Sequence, residues 1–71
     1  MLGYRCYFLG KESQILARED FYADTETEAL AIARSFALEK KPDGCFELWE
    51  GTRYLHSEDC RGSVQPLGVA A

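Results

Sequence analysis

Apolar and polar residues alternate from Tyr4 to Leu9. Tyr4, Cys6 and Phe8 fall on one face, and Arg5, Tyr7 and Leu9 on the other. A period of two marks a strand in a sheet with unlike faces. Gly10-Lys11-Glu12-Ser13 is a polar turn, and a second strand follows over Ile15 to Tyr22. Glu19-Asp20 interrupts its apolar pattern. Adjacent acids there predict a bulge or an exposed edge, both of which guard against edge-to-edge pairing. The period then changes. Ala29, Ile32, Ala33, Phe36 and Ala37 make one helical stripe with Leu30 at its margin. Thr25-Glu26-Thr27-Glu28 is a capping box in which the Thr25 hydroxyl accepts from the Glu28 amide and the Glu28 carboxylate from the Thr25 amide. Lys40 and Lys41 suit the negative end of the dipole, Pro42 stops the helix, and Asp43-Gly44 turns the chain. The helix is thus expected over Thr25 to Lys40.

Cys45 to Glu50 and Arg53 to His56 read as a second hairpin around Gly51-Thr52, a two-residue type II′ loop. That register sets Leu48 opposite Leu55, Trp49 opposite Tyr54 and Glu47 opposite His56. It turns Phe46, Leu48 and Leu55 toward the helix, and Glu47, Trp49, Tyr54 and His56 away.

The order ββαββ predicts an α+β domain: a four-stranded, mainly antiparallel sheet with one helix packed on one face. The helix returns the chain to its starting end, so the third strand runs parallel to the second. Placing the first strand between them gives the order 2-1-3-4 with every neighbour antiparallel. Such sheets tolerate an uncovered face. The expected core is Tyr4, Cys6, Phe8, Phe21, Ile32, Ala33, Phe36, Phe46, Leu48 and Leu55. Residues 1–57 form this single domain. The pattern dissolves beyond Ser57, so 58–71 is expected to be a disordered tail.

Composition narrows the function. The chain has 71 residues, near the lower limit for folding alone, and a net charge of -4. Its eight Lys and Arg are scattered among twelve Asp and Glu, a balance that disfavours nucleic acid and anionic membranes. No apolar run approaches the roughly 20 residues of a membrane span, and the amino terminus has no signal-peptide core. A cytoplasmic location is expected. Three cysteines, an odd number, suit reduced thiols better than a disulfide framework. Cys6 and Cys45 fall on opposite sheet faces and are not expected to bridge. Cys60, beyond the last strand, is expected to be exposed and the more reactive thiol.

No motif assigns a reaction. Cys45, His56 and Cys60 match no zinc spacing. The single His has no nucleophile turn beside it, and no phosphate loop is present. Asp24, Glu26 and Glu28 serve the helix start. Neither enzyme activity, nor a cofactor or metal, nor a small-molecule substrate is expected. The aromatic residues of the uncovered face remain. Tyr7, Trp49 and Tyr54, with Leu9 and His56, are the candidate interface. Stacking on bases needs cations, and only Arg5 and Arg53 are near. A bland alternative is a cross-strand ladder that stabilises the sheet. As an interface, three aromatic side chains burying roughly 150–250 Å² each represent a gross gain on the order of 10 kcal/mol before association costs. The first expectation is a homodimer through this face, and the second a monomer that binds a different protein there.

Tyr4-Arg5-Cys6-Tyr7-Phe8-Leu9, Thr25 to Ala33 with Glu28-Ala29-Leu30-Ala31 at its centre, and Glu47-Leu48-Trp49-Glu50-Gly51 together resemble a group of short, uncharacterised bacterial ββαββ proteins. The likeness covers about residues 4–56. It implies a stand-alone cytosolic bacterial protein and no particular activity.

Overall fold

The computed structural model describes residues 1–60. Four strands, β1 (Leu2–Leu9), β2 (Ile15–Ala23), β3 (Cys45–Glu50) and β4 (Arg53–Asp59), and one helix, α1 (Glu26–Lys40), follow in the order ββαββ. The sheet order is β2-β1-β3-β4, and every neighbouring pair is antiparallel. This is the α+β architecture expected from the two periodicities.

Alternation on β1 sets the faces. Tyr4 pairs with Phe21, Cys6 with Glu19 and Phe8 with Ala17 on the helix side. Gly3 pairs with Tyr22, Arg5 with Asp20 and Tyr7 with Arg18 on the other. The ladder runs through Glu19 and Asp20 without interruption, and its irregularity lies instead between Phe8 and Leu9. Of the two expectations for the adjacent acids, the exposed edge holds and the bulge does not.

Helix α1 begins at a Thr25 cap whose hydroxyl accepts from the Glu28 amide at 3.1 Å. The Glu28 carboxylate reaches back to the Asp24 amide at 2.8 Å, one residue earlier than the expected Thr25 amide. Lys41 closes the helix in the left-handed region, donating its N–H to the Ala37 carbonyl. Ala29 and Ala33 are fully buried and let the helix lie close to the sheet. The core is Tyr4, Cys6, Phe8, Ala23, Ala29, Ala33, Phe46 and Leu48. Phe21, Ile32, Phe36 and Leu55, expected at its centre, pack around it half-buried.

The second hairpin departs from the expected register. Gly51 takes a positive φ of 61° at the loop, and Trp49 faces Tyr54 as anticipated. Between Leu48 and Trp49 the ladder then shifts, so Leu55 is an extra residue on β4 and Leu48 faces His56, not Leu55. Every later pair moves with it: Glu47 faces Ser57, Phe46 faces Glu58 and Cys45 faces Asp59. A bulge sets two residues of one strand against one of its partner, so the side chains beyond it change faces relative to a regular ladder.

β4 also runs to Asp59, past the expected end at His56, and takes Glu58 and Asp59 from the expected tail. The Cys60 amide donates to the Gly44 carbonyl at 2.9 Å. The rest of the tail expectation, from residue 61, lies outside the described residues. Cys60 is half-buried against the core, and burial pushes its thiol up, contrary to the expectation of an exposed, reactive group. Cys6 is completely buried on the helix side, and no disulfide joins it to Cys45.

Candidate functional site

The face away from α1 is built by alternate residues of all four strands. Tyr7 of β1, Trp49 of β3 and Tyr54 of β4 cross it as a continuous ladder. The Tyr7 and Trp49 rings meet edge to face, 6.5 Å between centroids and 87° between planes. Trp49 and Tyr54 do the same at 5.6 Å and 68°. Edge-to-face contact is a favoured geometry for aromatic quadrupoles. The Trp49 indole N–H donates to the Glu47 carboxylate at 3.2 Å, two residues back on the same face. Tyr7 and Trp49 are half-buried, whereas Tyr54 is 50% exposed.

Besides Glu47, charged residues of this face meet on β1 and β2. Arg5 Nε donates to Asp20 Oδ1 at 3.1 Å, and Arg18 Nε approaches the same oxygen at 3.6 Å. The Tyr7 side chain first, and Asp20 second, raise the Arg5 guanidinium above its ordinary value. Tyr22 lies beside them, its ring over Gly3, where a Cβ would stand 3.5 Å from the ring. Gly3, Arg5, Asp20, Tyr22 and Gly51 help to line an open cleft of about 280 Å³.

Three of the five expected interface residues, Tyr7, Trp49 and Tyr54, are therefore brought together. Leu9 is 7% exposed and offers no contact surface. It is buried where the turn closed by the Gly10 amide and the Gln14 carbonyl folds against the entry to β3. His56 lies on the opposite face. The Leu55 bulge sets it across from core residue Leu48, with its ring 6.5 Å from Phe46. There His56 Nε2 stands 3.2 Å from a Glu58 oxygen, and Arg34 of α1 grips the same carboxylate through Nε and Nη2 at 3.1 and 3.0 Å. Arg34 draws the Glu58 carboxyl below its ordinary value, partial burial opposes this, and His56 adds to the lowering.

Tyr22 and Leu16 were missed as surface features. Tyr22 shares a face with Arg18 and Asp20, so the alternation of β2 carries its signal. Leu16 is an extra residue on β2, where Phe8 pairs with Ala17 and Leu9 with Ile15, and it lines a cleft with Phe8 and Lys40. Among the described residues no group of three or more His, Cys, Asp or Glu is placed to hold a metal ion. No helix among them is long and apolar enough to cross a membrane. Comparison of the chain with protein-family models, with curated proteins and with solved structures gives no match. The role of the face is thus read from its own chemistry.

Proposed function

We propose that this chain is a protein-interaction module, without enzymatic activity, that self-associates through its uncovered aromatic face. The observation that carries the proposal is the continuity of Tyr7, Trp49 and Tyr54. All three rings are held by edge-to-face contact, and Trp49 also by its bond to Glu47. Side chains already fixed lose little rotamer freedom when a partner covers them, so more of the burial gain appears as affinity. Aromatic residues are also enriched at interfaces for their large amphipathic area. The cations of the face weigh against nucleic acid, because Arg5 and Arg18 both turn to Asp20 and Glu47 lies within the ladder. The resemblance to short bacterial proteins supports a bacterial, cytoplasmic setting.

Light scattering on the wild type and on Tyr54→Lys tests the proposal. Tyr54 is exposed, so the variant keeps the far-UV circular dichroism of the parent. The wild type should show more than a single-chain mass at micromolar concentration, and Tyr54→Lys should weaken association by about tenfold or more, as for a central aromatic contact. A wild type that stays monomeric would refute self-association and leave a heterologous protein as the occupant of the face.

A further inference from the structure

Both edges of the sheet are interrupted. On β2, Leu16 is an extra residue between Ala17, which pairs with Phe8, and Ile15, which pairs with Leu9. On β4 the extra residue is Leu55. Bulges twist an edge away from a further strand, so the surface left for a second copy is the uncovered face. The charges of that face differ between its halves. The β1–β2 half holds Arg5 and Arg18 around one acid, Asp20. The β3–β4 half holds Glu47 and Asp59, whose cross-strand partners are Ser57 and Cys45, and Arg53 at the turn is taken by Glu50. The ladders fix the rows of the face. Asp20, Arg5, Trp49 and Tyr54 stand side by side in one, and Arg18, Tyr7, Glu47 and Ser57 in the next.

Given self-association through the uncovered face, on which this rests, we propose that two copies pack face on face about a two-fold axis that runs along the strands, between β1 and β3. Such an axis keeps each residue at its own level, so the register along the strands has no freedom. It also lays the β1–β2 half of each copy on the β3–β4 half of the other. The partner's Glu47 then comes over Tyr7, between Arg5 and Arg18. The partner's Trp49 comes over Arg5, ring against guanidinium. The partner's Tyr54 comes over Asp20 and the two arginines that hold it. Symmetry supplies every contact twice. An axis across the strands lays each half on its own kind, so that Glu47 and Asp59 of both copies gather on one side. Like charges brought together across an interface oppose association. Sheets packed face to face keep their strands within about 30° of one another, which the axis along the strands permits. Four strands about 4.8 Å apart and six residues long, at about 3.3 Å each, present roughly 400 Å² seen flat. Two such faces, with their side-chain relief, come near the roughly 1,200 Å² at which specific interfaces begin. The dimer is closed, with four layers and the helices outermost.

The test is sedimentation equilibrium of the full chain as E47K, as R18E and as their equimolar mixture, beside wild type and Y54K. E47K sets a cation over Arg18 twice, and R18E sets an acid over Glu47 twice. Each should therefore raise the dimer dissociation constant about tenfold or more. In a mixed dimer both contacts join opposite charges. The mixture should associate more tightly than either variant alone, within about tenfold of wild type. Arg18 and Glu47 stand two strands apart in one chain, and no contact within a chain makes a mixture exceed both its components. An axis across the strands instead predicts a mixture intermediate between the two. A mixture no tighter than the better variant, or association unchanged in E47K or R18E, would overturn the axis. If Y54K has lost association in that case, self-association through the face still stands. Association unchanged in Y54K would remove the face and the axis together, as would a wild type of single-chain mass at its highest soluble concentration.

Discussion

Gly44 lies where the entry to β3 crosses the end of β1 and the first turn. A Cβ built on it would fall inside van der Waals contact of the Leu9 and Gly10 carbonyl oxygens, and 2.6 Å from the Gly10 carbonyl carbon. These are backbone atoms of a turn fixed by two hydrogen bonds, Gly10 N–H to Gln14 O and Ser13 N–H to Gly10 O, at 2.8 and 2.9 Å. They cannot swing aside as a side-chain end does. On its other side Gly44 accepts from Cys60, so moving it also loosens the end of β4. Forcing extra atoms into packed sites costs about 1–3 kcal/mol. With backbone as the obstacle, Gly44→Ala belongs at the upper end, about 3 kcal/mol. A domain this small has roughly 4–10 kcal/mol in all, and each 1 kcal/mol moves its midpoint by about 4–8 °C. The expected fall in Tm is therefore about 12–24 °C, read by thermal melts in far-UV circular dichroism. Gly51→Ala is the internal control. Gly51 has positive φ and open space around it, so only backbone strain of about 1–2 kcal/mol applies. If Gly44→Ala melts within a few degrees of wild type, or above Gly51→Ala, the close approach of β1 and β3 is misplaced.

Thr25→Ala should cost about 0.5–2 kcal/mol in urea unfolding through loss of the acceptor for the Glu28 amide. Asp24→Ala should cost less, because Asp24 contributes its backbone amide to the cap; equal losses would contradict the cap geometry. Arg34→Ala should remove about 0.2–1 kcal/mol at neutral pH, the range of an exposed pair. A carboxyl lowered by folding stabilises above its unfolded value and loses that contribution as pH falls through the folded value. The difference between wild type and Arg34→Ala should hence shrink in acid, and a difference constant from neutral to strongly acidic pH would refute the pair. Cys6, completely buried with its thiol pushed up to about 12, should react with a thiol reagent only as fast as the protein opens. Labelling of Cys6 in native protein at the rate of a small-molecule thiol would disprove its place in the core.

The elements were legible because each carries a period and a punctuation mark. Tyr4, Cys6 and Phe8 alternate, Ala29, Ala33 and Phe36 step by helical turns, Thr25 caps, Pro42 stops, and Gly51 turns. The strand order followed from requiring antiparallel neighbours for a sheet covered on one side. The Leu55 bulge was not legible. Leu48 against Leu55 is a better apolar match than Leu48 against His56, and cross-strand chemistry alone selects the regular ladder. What decides for the bulge lies outside the hairpin. With Leu55 as the extra residue, Glu58 comes to the helix side and meets Arg34, 24 positions away in sequence. Local pairing preferences of about 0.2–1 kcal/mol are no larger than one such tertiary contact.

The same distinction governs the candidate site. Tyr7, Trp49 and Tyr54 were found because all three precede the bulge or belong to the regular β1–β3 ladder. His56 follows the bulge, and its face was lost with the register. The acids of β2 show the converse. Glu19-Asp20 reads as a charged guard on an edge, which is correct for sign and position. Whether a guard repels depends on what neutralises it, and Lys40 and Arg5 come from other elements. Once both carboxylates are held, the edge carries less unbalanced charge than its sequence suggests. Sequence gives the charges of an edge strand; only the fold gives their balance.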